Sequence, residues 1–339
     1  MFKRENKVSS QKYIWLIVGF LFLGGLLGFG IGYCLKPKTE IVSTTSLRED
    51  TNQYKFIDPL LLVNRSDDNI PTPGYVALQK SIESYIVSQK KANVVTDTSV
   101  YFINYKKGGL FTIDPDNQYD PASMLKVVIM IGYLKESDTD PSILNQELTY
   151  FPSIAQNLES IPFEDPSKLV VGQTYLVSDL INQMIVNSDN GAMNLLLSHI
   201  DNSYLSEIYT EIGLKAPAPG APYTISPADF SLFFRILYNG TYLSDASSEK
   251  ALSILSQATF SDGLLAGLPA GTVVAHKFGE RVIGSGDQIT SVELHDCGIV
   301  YANQGPYLLC VMTRGKNLNS LAATIATISK MVYGYVPSS

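Results

Sequence analysis

Ser123 and Lys126 stand three positions apart at the head of an apolar stretch, Tyr119–Leu134, YDPASMLKVVIMIGYL. On a helix that spacing puts both side chains on one face, within reach of each other. Pro121 and Ala122 mark the helix start, and Val127, Val128, Ile129, Met130, Ile131 and Leu134 are apolar nearly all round. The helix is therefore expected in the middle of a domain. A lysine buried there tends to lose its proton because desolvation disfavours charge, and a neutral amine beside a hydroxyl is a general base for a serine nucleophile. Alone, S-x-x-K is weak: a solvated serine and lysine at a helix start is its ordinary explanation.

Two further groupings strengthen it. Ser188-Asp189-Asn190 follows an expected helix, Leu176–Val186, and precedes Gly191-Ala192-Met193-Asn194. Its plain reading is loop chemistry and an N-cap. Lys277-Phe278-Gly279 closes an expected strand, Thr272–Phe278, where Gly279 would let a ligand or another chain lie against the backbone. A solvated strand-end lysine is the plain reading there. His295-Asp296 with Ser291 nearby raises a hydrolase triad, but neighbouring residues on a strand point to opposite faces, which argues against it. His276 is expected to pack beneath Lys277. Cys297 and Cys310 flank the turn Asn303-Gln304-Gly305-Pro306 nearly symmetrically, so they are either a cross-strand disulfide or two buried thiols.

Composition excludes several classes. The chain has 339 residues, 45% hydrophobic and 17% charged, with a formal net charge of -7. It can bury one large core or two ordinary ones. Its lysines are scattered and form no basic stripe, which argues against nucleic acid. Three cysteines and three histidines (His199, His276, His295) show no metal-ligand spacing, so no metal or other cofactor is implied.

Residues 13–35, YIWLIVGFLFLGGLLGFGIGYCL, form one uncharged apolar run of about the ~20 residues a bilayer-spanning helix requires. The run is too long for the apolar region of a cleaved signal, and no small-x-small site follows it. Bulky Tyr33 before Cys34 disfavours lipidation. Lys3, Arg4, Lys7 and Lys12 precede the span and only Lys36 and Lys38 follow closely, so residues 1–12 are expected in the cytoplasm and the rest outside. Gly24, Gly28 and Gly32 form a stripe that would let two anchors approach as a homodimer, although glycine is also common in lone spans. Residues 36–73 read as a spacer, with an apolar patch, Phe56 to Val63, that either packs on the domain or does not.

From Gly74 the pattern is globular, defining a domain over 74–336. Periodicity predicts a helix near 75–91, strands Ser99–Tyr105 and Leu110–Ile113, and then the Ser123 helix. Helices follow at Leu176–Val186, Gly191–Ile200, Tyr204–Ile212, Pro227–Tyr238 and Ser248–Ser256, strands at 272–278, 290–302 and 307–313, and a last helix at Leu318–Tyr333. This layout implies an α+β fold: an antiparallel sheet built from both chain ends, first and last helices on one face, and a helical subdomain on the other. A site would lie at the seam between sheet and helices.

The motifs S-x-x-K, S-D-N and K-x-G, in that order, make the chain resemble the penicillin-recognising serine hydrolases, most nearly the class A β-lactamase branch. Pro121-Ala122-Ser123, Ser188-Asp189-Asn190-Gly191-Ala192, Thr224-Ile225-Ser226-Pro227-Ala228, Gly267-Leu268-Pro269-Ala270-Gly271 and Ala275-His276-Lys277 are similar to that branch, over roughly 75–336. The resemblance implies a β-lactamase/transpeptidase-like fold and an acyl-enzyme on Ser123. Lys126 would be the base, and Ser188 with Lys277 the proton path to the leaving nitrogen. Asn190 would hold the substrate amide and Lys277 its carboxylate, beside Phe278 and Gly279. The oxyanion hole would be the backbone N–H groups of Ser123 and Glu280.

The chain departs from the family twice. No acidic residue lies between Gly213 and Thr224, where the class A pattern carries the glutamate that activates water, and Glu207 and Glu211 belong to the preceding helix. Slow deacylation is the expectation. Phe278 replaces a threonine, removing a hydroxyl that would bond the substrate carboxylate; its ring would stack on or narrow the pocket. The implied function is a membrane-anchored β-lactamase-like hydrolase acting on β-lactams or D-alanyl-D-alanine peptides. Its alternatives are a D,D-carboxypeptidase of cell-wall metabolism and a non-catalytic β-lactam or wall sensor.

Overall fold

Strands from both ends of the chain meet in one sheet. The computed structural model describes residues 54–59, 72–155, 163, 167–218, 220–284 and 289–336. Contacts divide the chain at residue 45, and every described residue belongs to the second unit. Helix α1 (Val76–Lys91) leads into β1 (Val95–Asn104) and β2 (Gly109–Ile113); α2 (Lys126–Thr139), β3 (Glu147–Thr149), α3 (Pro152–Ala155) and β4 (Thr174–Leu176) follow. Then come α4 (Val177–Val186), α5 (Asn190–Leu197), α6 (Asn202–Glu211), α7 (Pro227–Tyr238) and α8 (Asp245–Leu255). Strands β5 (Val273–Ile283), β6 (Ser291–Ala302) and β7 (Gly305–Gly315) precede α9 (Leu318–Tyr335). The five-stranded sheet has the order β2-β1-β7-β6-β5 and is antiparallel throughout.

Each face of the sheet carries its own apolar layer. Helix α1 turns Leu78, Ile82 and Ile86 inward at helical spacing, and α9, capped by the Asn317 side chain, buries Leu321, Ile325, Ile328 and Val332. Both cover one face with Val100, Phe102, Leu309 and Val311. On the other face Tyr101, Ile299, Leu308 and Met312 meet α2, α4, α5, α7 and α8. Residues from Lys126 to Leu134 on α2 are all buried, as its all-round apolar sequence predicts. The expected α+β architecture is therefore observed.

Several elements differ in extent from the sequence expectation, and one ladder is new. Strand β5 does not stop at Phe278 but runs to Ile283, because β6 pairs with it along its whole length as far as Ile283–Ser291. Lys277 thus sits inside a strand, not at its end. Strand β1 begins at Val95, four residues early, with a register shift between Val95 and Asp97. The small β3–β4 ladder was not expected, its three-residue strands being too short to carry a period.

Within the 36–73 stretch, residues 54–59 dock on the domain. The Glu249 carboxylate accepts from the backbone N–H groups of Lys55, Phe56 and Ile57, and Tyr301 donates to the Phe56 carbonyl. Phe56 and Ile57 are buried. The expected anchor at 13–35, its glycine stripe and the 1–12 tail lie outside the described residues, among which no helix is long and apolar enough to cross a membrane. Cys297 and Cys310, opposed across β6–β7, form a disulfide.

Candidate active site

Ser123 lies in a 3-10 turn, Ala122–Leu125, directly before α2, not in the first α-helical turn. The difference tightens the motif: in a 3-10 turn residues three apart eclipse. Lys126 Nζ sits 2.9 Å from Ser123 Oγ. Ala122 holds φ +47°, a left-handed conformation uncommon for a residue with a Cβ and frequent where function requires strain.

Ser188 joins the two lysines. Lys126 Nζ donates to Ser188 Oγ at 3.0 Å and to its carbonyl, and Lys277 Nζ donates to the same Oγ at 2.8 Å. Ser188 also has a positive φ, +55°, in the bend from α4 into α5. Asp189 is the N-cap of α5: its carboxylate accepts from Ala192 N–H at 2.9 Å and from Lys168 N–H at 3.1 Å. The plain reading of S-D-N as a cap is thus correct for Asp189, while Ser188 serves the lysines. Asn190 opens α5. Lys126, Ser188 and Lys277 are almost wholly buried and Ser123 is 7% exposed.

Strand β5 brings Lys277 and its neighbours against the Ser123 turn. A Cβ on Gly279 would lie 2.5 Å from the Pro121 carbonyl, so only glycine permits this approach. Phe278 is buried and stacks on Phe260, ring centroids 4.1 Å apart, with Lys277 Nζ 4.3 Å from its centroid. Where a threonine would offer a hydroxyl, this chain offers a ring face to the amine. Glu280 follows Gly279 on β5, and its carboxylate accepts from Phe163 N–H at 2.6 Å.

The sequence reading missed a row of charges beneath the turn. Directly opposed residues of antiparallel strands share a face, so Arg281, Glu293, Arg314 and Asp97 form one row across β5, β6, β7 and β1. Gly279, His295, Met312 and Ser99 form the next row. Arg314 donates to Glu293 at 2.6 Å and to Asp97 at 3.0 Å. The segment entering Ser123 is fastened to these rows: Arg314 donates to Gln118 O, Asp120 N–H to Glu293, and His295 Nε2 lies 3.0 Å from Asp120 O. Thr313 N–H donates to His295 Nδ1, which assigns the ring proton to Nε2 and so to Asp120 O. Tyr119 OH lies 2.9 Å from Ser99 Oγ, and its backbone pairs with Ile225.

Electrostatics follow. Burial opposes ionisation of Glu293, but the bonds from His295 and Arg314 outweigh it and hold its carboxyl below the ordinary glutamate range. Burial pushes the Tyr119 phenol up to about 12.

One signal for these rows was present: the symmetric placing of Cys297 and Cys310 sets the β6–β7 register, from which Glu293 opposite Arg314 follows. His295 and Asp296 do face opposite ways, as expected, and form no triad with Ser291, which pairs with Ile283. Asp296 instead meets His276, Nδ1 to Oδ1 2.8 Å, and accepts from Leu264 N–H. His276 thus lies on the sheet face opposite Lys277.

Residues 77–336 match the Beta-lactamase enzyme family, and the chain belongs to that family. Among curated proteins, β-lactamase CTX-M-25 of Escherichia coli is 26% identical over 193 residues, 52% of this chain and 64% of its own length. CTX-M-97 of Escherichia coli is 26% identical over 62% of this chain and 73% of its own length. This chain thus spans 64% of the length of some curated relatives it matches. Among solved structures, PBP-A superposes with a TM-score of 0.65 at 24% identity, covering 78% of this chain and 98% of that one. A substituted PBP-A, solved as its acyl-enzyme complex with penicillin-G, gives 0.64 at 25% identity, covering 76% of this chain and 95% of that one. A variant of the class A β-lactamase of the last common ancestor of Gram-negative bacteria gives 0.62 at 24%, covering 75% and 97%.

Proposed function

We propose that the chain is a membrane-anchored, extracytoplasmic serine hydrolase that takes a β-lactam, or the D-alanyl-D-alanine peptide it resembles, onto Ser123 and releases it slowly. The continuous chain Ser123–Lys126–Ser188–Lys277, linked at 2.8 to 3.0 Å, carries the reading. In its neutral form Lys126 accepts the Ser123 proton as Oγ attacks the carbonyl carbon, and the C–N bond breaks as Ser188, backed by Lys277, passes a proton to the leaving nitrogen. Asn190 holds the substrate amide, and Lys277 attracts the carboxylate. The N–H groups of Ser123 and Glu280 stabilise the oxyanion, each worth ~10²–10³ in rate.

Slow release rests on the connection from Gly213 to Thr224, which contains no aspartate or glutamate. The same observation favours a second reading, a penicillin-binding D,D-carboxypeptidase of cell-wall metabolism. Anchoring through residues 13–35 rests on the apolar run and its flanking charges alone.

The test uses the full chain in detergent, mixed with benzylpenicillin and sampled by mass spectrometry from seconds to hours. A persistent penicilloyl adduct on the Ser123 peptide is expected. Fast consumption of penicillin without an adduct would refute slow release; no adduct and no consumption would refute acyl transfer from β-lactams.

A further inference from the structure

His276 and Phe278 alternate with Lys277 along β5 and share the opposite face of the sheet, and Asp296 of β6 stands directly across from Phe278. That face is turned away from the Ser123 turn, which packs on Gly279. His276 and Asp296 are 2% and 0% exposed, with Nδ1 and Oδ1 2.8 Å apart. A polar pair so deeply buried is costly unless its atoms are well bonded. What it bonds is a turn.

The second Asp296 oxygen accepts from Leu264 N–H at 2.8 Å, and Ser329 of α9 donates to the Leu264 carbonyl at 2.8 Å. At the other end of the same segment, the Thr259 N–H and hydroxyl both donate to the carbonyl of Val186, the last residue of α4 before the bend that carries Ser188. Gly263 is wedged between these ties: a Cβ there would lie 2.3 Å from Asp296 Oδ2 and 2.7 Å from the Phe260 ring. Phe260 stacks on Phe278, and Lys277 Nζ lies 4.3 Å from the Phe278 centroid. Close contact thus runs from the Asp296 carboxylate, through Gly263 and two rings, to the amine that bonds Ser188.

We infer that the Asp296–His276 pair is a positioning device for Lys277. By fixing the 259–264 segment it holds Phe260 against Phe278, and the Phe278 ring sets where Lys277 Nζ meets Ser188. The inference rests on the acyl-transfer reading above and adds two positioning residues to it. Close-packed interiors transmit strain, and a displacement of about 1 Å at a reacting group costs up to about 10²-fold in rate.

The experiment measures the rate of Ser123 acylation by benzylpenicillin in the full chain in detergent. Asp296→Ala should slow it by about 10- to 10²-fold. Asp296→Asn, whose amide both accepts from Leu264 N–H and donates to His276 Nδ1, should restore the natural rate. Phe260→Leu removes the intervening ring and should slow acylation likewise; adding Asp296→Ala to it should cost nothing further, because both act through one contact. Gly263→Ala, which forces carboxylate and ring apart, should match Asp296→Ala and carries the test if that variant does not fold. Ile82→Ala opens a cavity in the same apolar layer but on α1, and should lower the melting temperature without slowing acylation. The inference is overturned by unchanged acylation in Phe260→Leu or in both Asp296→Ala and Gly263→Ala. It is overturned equally by losses that add in the double variant, by Asp296→Asn as slow as Asp296→Ala, or by an equal loss in Ile82→Ala. If benzylpenicillin does not label the natural chain, the acyl-transfer reading falls and this role with it, an outcome distinct from equal rates.

Discussion

The two sides of the nucleophile's turn are built differently. Towards the sheet, the segment Gln118–Asp120 is held by Arg314, Glu293, His295 and Ser99 from β1, β6 and β7, and Ser123 looks onto two buried lysines joined by one hydroxyl. Towards the 213–224 connection, Ala122 and Leu125 face apolar side chains and open space. One side has dense, oriented polar bonds of the kind that make a reacting group ready to attack. The other borders a cavity lined mostly by apolar side chains, with Asn202, Ser206 and the Tyr209 hydroxyl as its polar groups. Under the proposed function, the two sides separate attack on a substrate from hydrolysis of the product as distinct structural tasks.

The comparison breaks most readily at Lys126. Lys126→Met is expected to slow acylation by ~10²–10⁴, the range of a lost general base, while thermal unfolding shifts little or upward, because an apolar residue of similar length fits a buried site. Equal loss of stability and rate would make the lysine a packing element. The opposite side is tested by supplying what it lacks. Ala218→Glu puts a carboxylate at the cavity rim, and hydrolysis of the acyl-enzyme, followed as adduct decay, should rise by about 10². Unchanged decay would mean that this wall is not where water attacks.

Smaller effects probe the sheet side. Glu293→Gln removes a charged partner of Arg314 and should cost about 1–3 kcal/mol in unfolding free energy, with slower acylation of Ser123. The pH dependence has a definite sign. The folded carboxyl titrates below an unfolded glutamate, so its contribution is complete above about pH 4.3 and disappears as pH falls through the folded value. The natural chain should therefore lose stability on acidification more steeply than Glu293→Gln; parallel curves would sink the assignment. The smallest effect is at Tyr119. Tyr119→Phe leaves Ser99 without the phenol and should cost about 1 kcal/mol. With its folded value raised to about 12, the natural phenol contributes stability that is intact below pH 10 and is lost as pH rises towards 12. The phenylalanine chain should show a flatter alkaline limb in a melting series.

Much of the site was legible because it is local. Ser123 and Lys126 are one turn apart, and Ser188 and Asn190 flank a cap; these relations follow from backbone geometry over a few residues. Lys277 was legible through its glycine, although its strand runs five residues beyond the expected end, since a strand's length depends on its partner. The Glu293–Arg314–Asp97 row went unread because its members are remote in the chain and acquire meaning only when three registers are combined. That Asp296 is the partner of His276 beneath Lys277 likewise needed the β5–β6 register.

By itself, the sequence determined the α+β layout, the buried apolar helix behind the nucleophile, the order of the three motifs and the absence of an acid between Gly213 and Thr224. These rest on periodicity, composition and short-range geometry. Only the tertiary structure decided that Ser188 bridges two buried lysines, that the nucleophile's turn is fastened to a charged row, and that a cavity remains beside it. Those features depend on the distances between side chains brought together from separate elements, which a linear pattern does not contain.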